Sequence, residues 1–308
     1  MPKRASIHID APLSNLAVQY RNLQFVADMV FPIVPVVKES DKYYIFGREE
    51  LKEVDTHRAV GTASNEIDWD VTTGSYSAEE YSLRKLLADR TVRNADAPIR
   101  PRITTMNKLM RLIMLGYEKR VMNLVTGSAL ASYRSNPTIK WDGTSPTIES
   151  DVDTAKASVR LNAGVEPNRI LMNDQVKDVV KRDSTVRNLI RYTIQGSAGQ
   201  ELLVNGDLPP VLWNLAVTLA MAAEDTAKKG ATASISRIWP DDVLVWYAEP
   251  SPSLEALSLG YTFRVIGGSV VKTWRDEERD GEMIQPSIIQ AEKMVATAAG
   301  YLLDNVLT

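Results

Sequence analysis

The sequence predicts a mixed α+β fold organised around one long helix, with an extended N-terminal arm and a two-stranded ribbon ahead of that helix. Three observations carry this expectation. A proline-free stretch from Ile103 to Val125 repeats apolar residues at steps of three and four. Strand-like and helix-like segments alternate from Ile148 to Tyr192. The first 60 residues, by contrast, carry Pro2, Pro12, Pro32 and Pro35 and do not read as a self-contained domain.

In the helix, Met106, Met110, Ile113, Tyr117, Val121 and Leu124 form the apolar stripe. Thr104 or Thr105 is expected near its N-cap and Gly127 at the position just past its end. At 1.5 Å per residue the helix spans roughly 35 Å. That is long enough to act as the spine of a flat molecule, and equally the length of an ordinary core helix.

The N-terminal run Met29-Val30-Phe31-Pro32-Ile33-Val34-Pro35-Val36-Val37 is strongly apolar. Its two prolines exclude a helix interior or a central strand. It reads either as an edge strand of its own domain or as an arm packed on another subunit. Further on, Ile67, Trp69 and Val71 alternate with polar residues, and Thr73-Gly74-Ser75 reads as a turn. Tyr76, Tyr81 and Leu83 follow on a return strand. Such a ribbon is marginal in water unless it finds a partner surface.

A second segment begins after the loop from Ser135 to Pro146. Ile148 to Leu161 is read as a helix with Glu149, Asp151 and Asp153 in its first turns, where carboxylates complement the helix dipole. Arg169 to Met172 is read as a strand, and Asn173 or Asp174 caps a helix over Gln175 to Lys181. Val186 to Tyr192 is another helix, and Leu208 to Trp213 a strand limited by its prolines. Ala216 to Lys228 is alanine-rich and is expected to be helical. Strands are expected at Ile235 to Trp239, Val243 to Tyr247, Gly260 to Val265 and Ser269 to Trp274. Arg275 to Glu282 reads as a turn, and Met283 to Met294 is ambiguous because Pro286 interrupts it.

The chain has 308 residues, 44% hydrophobic and 24% charged, with a formal net charge of -3. It lacks the basic excess of a protein whose whole surface grips nucleic acid. It has no cysteine, which excludes disulfides, thiolate metal sites and cysteine nucleophiles. The two histidines, His8 and His57, have no second histidine at ligand spacing. No G-x-S-x-G elbow, Walker A loop or dinucleotide fingerprint occurs. Asp276-Glu277-Glu278-Arg279-Asp280-Gly281 faintly resembles a calcium loop, but its twelfth position is Ser287 where a bidentate glutamate is needed, so it reads as a solvated hairpin. Short basic clusters at Lys3-Arg4, Arg100/Arg102, Lys119-Arg120 and Lys181-Arg182 read as solvated charge. No catalytic residue, cofactor or metal is expected. With no signal-peptide or membrane-spanning run, a soluble protein made in the cytoplasm is expected.

Several segments together resemble the HK97-type family of tailed-bacteriophage major capsid proteins. They are Ile238-Trp239-Pro240-Asp241-Asp242-Val243-Leu244-Val245-Trp246-Tyr247, then Leu259-Gly260-Tyr261-Thr262-Phe263 after a Pro/Ser loop. Upstream, Pro167-Asn168-Arg169-Ile170-Leu171-Met172-Asn173 resembles the family's strand before a helix, and Asn22 to Pro32 its segment ending in Phe-Pro. The resemblance covers nearly the whole chain. It implies an N-terminal arm at 1–59, an extended β-ribbon loop at 60–97, and a peripheral domain with the spine helix at 98–149. A mixed α/β axial domain follows at 150–270, and 271–308 returns to the peripheral domain. It implies a structural subunit that assembles as pentamers and hexamers around double-stranded DNA, without sequence-specific binding and without membrane. Scaffolding, portal and decoration proteins are the partners it implies, and a virion the location, with assembly in the bacterial host cytoplasm. Phe31, Val34, Val36, Ile67, Trp69, Tyr76, Tyr81 and Leu83 are the intersubunit contacts it suggests. An encapsulin-type protein compartment is the related alternative, and an α/β enzyme with an N-terminal extension the unrelated one.

Overall fold

A single 14-residue strand, Gly281–Met294 (β16), organises one half of the molecule. The computed structural model describes residues 8–9, 25–45, 53, 56–58, 60–61, 63–64, 72–95, 100–193, 208–228, 230–253 and 256–308. Within these, β16 pairs antiparallel with Gly260–Val265 (β14) and Val270–Asp276 (β15). Along its other partners it pairs with Glu79–Ser82 (β5) and Lys85–Ala88 (β6). His8–Ile9 (β1) joins β15, and Ile33–Val36 (β2) lies parallel to β14, completing a seven-stranded sheet. The segment that was ambiguous in sequence is thus a strand. Pro286 fits because its carbonyl accepts from Leu83 N–H, at the break between β5 and β6. Its missing N–H points to that same break and removes no ladder bond.

The spine helix, Pro101–Thr126 (α3), packs across this sheet. Met106, Met110 and Ile113 bury against Leu87, Val271, Ile284 and Ile288. Arg100 is its N-cap and Pro101 its first residue, a few positions ahead of the expected threonines. Gly127 lies just past its end, as expected, in an extended conformation, φ -73. Glycine is still required there, because a Cβ would stand 2.7 Å from the Asn123 carbonyl oxygen.

The second sheet orders Arg134–Ser135 (β7), Gly300–Leu303 (β17), Val243–Trp246 (β13), Arg169–Asn173 (β8), Leu215–Ala220 (β10) and Val211–Leu212 (β9). Its central strands β13 and β8 are buried on both faces, so they lack the polar alternation of half-exposed ones. Ile170, Met172, Val243 and Val245 face the helices Ile148–Ala163 (α4), Asp174–Val180 (α5) and Ser184–Thr193 (α6). Leu171, Leu244, Trp246 and Leu302 face the C-terminal half of α3. Asn173 caps α5 as expected, accepting from Val176 N–H at 2.8 Å.

Two expectations are overturned. Ala216 to Lys228 is not helical: β10 and Ala223–Asp225 (β11) occupy it, because residues 216–220 complete a parallel ladder with β8. A ladder buried on both faces outweighs the few tenths of a kcal/mol per residue by which alanine favours helix. Thr73-Gly74-Ser75 is not a turn: Thr73–Ser77 (β4) pairs antiparallel with Ser40–Tyr44 (β3). At the C-terminal end of the chain, β16 joins the first sheet and β17 joins the second beside β13.

Gly260 of β14 meets the Phe31 ring. A Cβ there would lie 2.6 Å from the ring and 2.8 Å from the Lys293 carbonyl oxygen. Gly260→Ala is expected to lower stability by about 1–3 kcal/mol in denaturant unfolding; an unchanged midpoint would show that this close packing is not a constraint.

Candidate assembly site

Glu118 is a fully buried carboxylate on the core face of α3, four residues after Met114 and three before Val121. Its Oε2 accepts from Val26 N–H at 3.0 Å and Ala27 N–H at 2.9 Å. Its Oε1 accepts from Trp239 Nε1–H at 2.6 Å. Ala27–Val30 (α1) is a single helical turn, and its first amides have no partner within the helix. The carboxylate supplies that partner. One side chain thereby ties the N-terminal segment, the spine helix and the loop before β13 together. Burial pushes the Glu118 carboxyl above its ordinary value, while the Trp239, Val26 and Ala27 donors pull it down.

A second junction lies where β3 and β4 leave the body. Tyr76 stacks on Phe263 with ring centroids 4.6 Å apart, and Tyr43 tilts against the same ring at 5.4 Å. Val34, Val36, Tyr261 and Ala291 complete the cluster. On the opposite face of β14, Tyr117 Oη and Thr262 Oγ1 are 2.8 Å apart, and Thr262 Oγ1 donates to the Phe31 carbonyl at 3.3 Å. Nearby, the Arg120 guanidinium lies 3.6 Å from the centre of the Tyr81 ring and pairs with Glu292 at 2.8 Å. The root of the β3–β4 ribbon is therefore held by aromatic packing on one face of the sheet, and β5 by the spine helix on the other.

The contact residues suggested by the sequence divide into three groups. Phe31, Val34, Val36 and Tyr76 are buried in their own subunit, at 0%, 4%, 5% and 3% exposure. As intersubunit contacts they are corrected: the apolar strip is an edge strand of its own sheet, and its side chains are consumed by Phe263, Gly260 and Tyr43. Tyr81 is half-buried beneath Arg120, and Leu83 is exposed. Ile67 and Trp69 lie outside the described residues. Glu118 and Trp239 escaped sequence reasoning as a pair. The signal was present in part: a glutamate interrupts the core stripe of an otherwise apolar helix face.

Asp276 to Gly281 forms a hairpin turn between β15 and β16. Among the described residues, no group of three or more acidic or histidine side chains could hold a metal ion. A groove of about 570 Å³ between the starts of α4 and α6 is lined by Thr147, Glu149, Asp153, Asp183 and Thr185. Asp183 there accepts from Thr185 and Val186 N–H, a helix-capping role. No described helix is long and apolar enough to cross a membrane.

No protein-family model matches the chain. Over 313 residues it is 24% identical to the major capsid protein of Burkholderia phage BcepMu, covering 97% of this chain and 96% of that protein. It is 26% identical over 314 residues to the major capsid protein of Pseudomonas phage JBD67, covering 98% of each. Its structure matches a phage-related protein from Bordetella bronchiseptica RB50 with a TM-score of 0.73, at 23% identity over 97% of both chains. It matches the capsid of cyanophage P-SCSP1u with a TM-score of 0.61, at 10% identity over 89% of this chain and 86% of that one. The fold is that of HK97-type phage capsid subunits. The end-to-end sequence relatives are structural major capsid proteins of phages.

Because burial raises the Glu118 pKa, the folded state keeps a proton that the unfolded state releases. The stability from this group is therefore full below the ordinary carboxylate value of about 4.5 and falls as pH climbs through the folded-state value. Relative to wild type, Glu118→Gln should gain stability between pH 4 and pH 7 in unfolding experiments. The reverse trend would contradict the burial argument. Glu118→Ala orphans three donors and should cost about 3 kcal/mol or more at either pH.

Proposed function

We infer that this chain is a major capsid protein, a structural shell subunit rather than an enzyme. The observation that carries this reading is full-length similarity to phage major capsid proteins on an HK97-type fold. Closed shells are built from many modest, repeated interfaces, whose sum exceeds any one contact. A ribbon rooted in the subunit suits that task, because such an element can bury area on a neighbour without enlarging its own core. The assembled form we propose is pentamers and hexamers in an icosahedral shell around phage double-stranded DNA. Scaffolding, portal and decoration proteins are its proposed partners, and the bacterial cytoplasm its place of assembly.

The contact role moves away from Phe31, Val34, Val36 and Tyr76. It passes to the chain between Ile45 and Thr72, which includes Ile67 and Trp69, and to exposed residues such as Leu83. The net charge of -3 fits a container that encloses DNA without gripping it over its whole surface.

Negative-stain microscopy of the purified protein tests this reading. Uniform closed particles or capsomer rings are expected. A monomer under all assembly conditions would sink it, and closed particles filled with protein cargo instead of nucleic acid would indicate a compartment shell. Trp69→Asp is expected to abolish closed particles while leaving the circular dichroism spectrum and melting temperature of the subunit unchanged. Loss of secondary structure would instead assign Trp69 to the subunit core.

A further inference from the structure

Several carboxylates of the chain have a cation to themselves. Asp174 pairs with Arg237, Glu166 with Arg160, and Asp89, which opens the short helix Asp89–Arg93 (α2), with Arg275. In each pair the arginine holds the carboxyl below its ordinary range. Asp242 differs. Val243 of β13 lies opposite Leu303 of β17, so the next antiparallel pair along this ladder is Asp242 and Asp304. Two carboxylates thus face each other at the end of the second sheet, and such cross-strand pairs repel when both are charged. Burial pushes the Asp242 carboxyl above its ordinary value, and the charge of Asp304 pushes the same way, against the Asn305 N–H and Arg134.

The charged groups around this pair do not balance. Arg134 of β7 pairs with Asp304 and also donates to the Thr126 carbonyl at 3.3 Å. Lys140 donates to the Asn305 carbonyl and, at 2.7 Å, to Asn136 Oδ1. Against these two cations stand Asp242, Asp304, Asp241, which accepts from Asn173 Nδ2 at 2.6 Å, and Asp142, which accepts from Thr308.

These groups converge on the segment 304–308. Asn305 has a φ of 49°, a left-handed conformation that asparagine tolerates, and its N–H donates to Asp242 Oδ1 at 2.7 Å. Asp304 N–H donates to the Ser135 carbonyl, Val306 N–H to the Asp241 carbonyl, and Trp141 N–H to the Val306 carbonyl, each at 2.8 Å. Val306 and Leu307 are buried in one core cluster with Trp141 and Leu303. The segment therefore closes the core of the second sheet, and the facing carboxylates sit at its base.

We propose that Asp242 and Asp304 form a proton-operated clasp on this segment. With one proton between them the carboxyls hold the segment closed over Trp141. With both charged they repel, and the segment loosens. Because the folded-state pKa of Asp242 is raised, its contribution is full below the ordinary value of about 3.8 and falls as pH climbs through the folded-state value. The pKa of Asp142, lowered by Thr308, sets its own tie working in the opposite sense and below that range. This clasp does not depend on the shell reading.

Hydrogen exchange of the full chain between pH 4.5 and pH 8, corrected for the intrinsic rates, tests the proposal. Protection of the Trp141, Asn305 and Val306 amides should fall about tenfold over that range, the effect of one pKa unit. Asp242→Asn and Asp304→Asn should each flatten this dependence. Asp142→Asn should lower protection at every pH and leave the slope in place. A flat profile in the wild-type chain overturns the clasp, as does a slope that survives in either of the first two variants. Carboxyl carbon shifts of the wild-type chain decide the matter even where a variant fails to fold. Asp242 and Asp304 should each register the other's titration, and two independent single-step curves overturn the pairing.

Discussion

The structure depends on a carboxylate that water cannot reach. Glu118 holds two amides of the N-terminal segment and the indole of Trp239, partners 91 and 121 residues away in the chain. Each of the three elements it joins belongs to a different part of the architecture. The spine helix carries one sheet on its first half and meets the second sheet with its last half. Desolvating a carboxylate costs several kcal/mol, and three N–H donors offset much of that cost. The geometry is correspondingly strict, because no water can replace a misplaced donor. With that junction closed, Phe31 is delivered to Gly260, β2 aligns beside β14, and the root of the ribbon acquires its aromatic seat.

This rigidity has a functional consequence. A shell subunit must present its reaching elements at a fixed angle, since small errors in direction accumulate around a closed ring. The ribbon is aimed by Tyr43 and Tyr76 against Phe263, and β5 by the cation–π contact of Arg120 on Tyr81. The side chains nearest the root are therefore committed to their own subunit. The sequence alone suggested that these aromatic and branched residues reach a neighbour. Their burial places them instead in the core of their own chain, at the root of the β3–β4 ribbon.

Local pattern made part of the fold legible. The spine helix was readable because apolar residues recur at steps of three and four from Met106 to Leu124, α4 because of its acidic first turn, and α5 because of its Asn173 cap. The errors share one cause. Residues 216–220 look helical by composition yet complete a ladder with β8, some 47 residues earlier. Residues 73–75 look like a turn yet pair with β3, about 30 residues earlier. Pro286 looks disruptive until the break between β5 and β6 is placed opposite it. In each case a distant strand decides, and no window of sequence contains it. The same holds for Glu118, whose anomaly within an apolar stripe was visible but whose three donors were not.

The shell reading requires that the interfaces between copies spare the side chains at the ribbon root. Cryo-electron microscopy of assembled particles addresses this directly. The account predicts closed shells in which Val34, Val36 and Tyr76 stay packed with Phe263 of their own chain, the interfaces between copies being formed by other residues. Shells in which these side chains leave Phe263 and pack on a neighbouring subunit, or a chain that never forms particles, would contradict it.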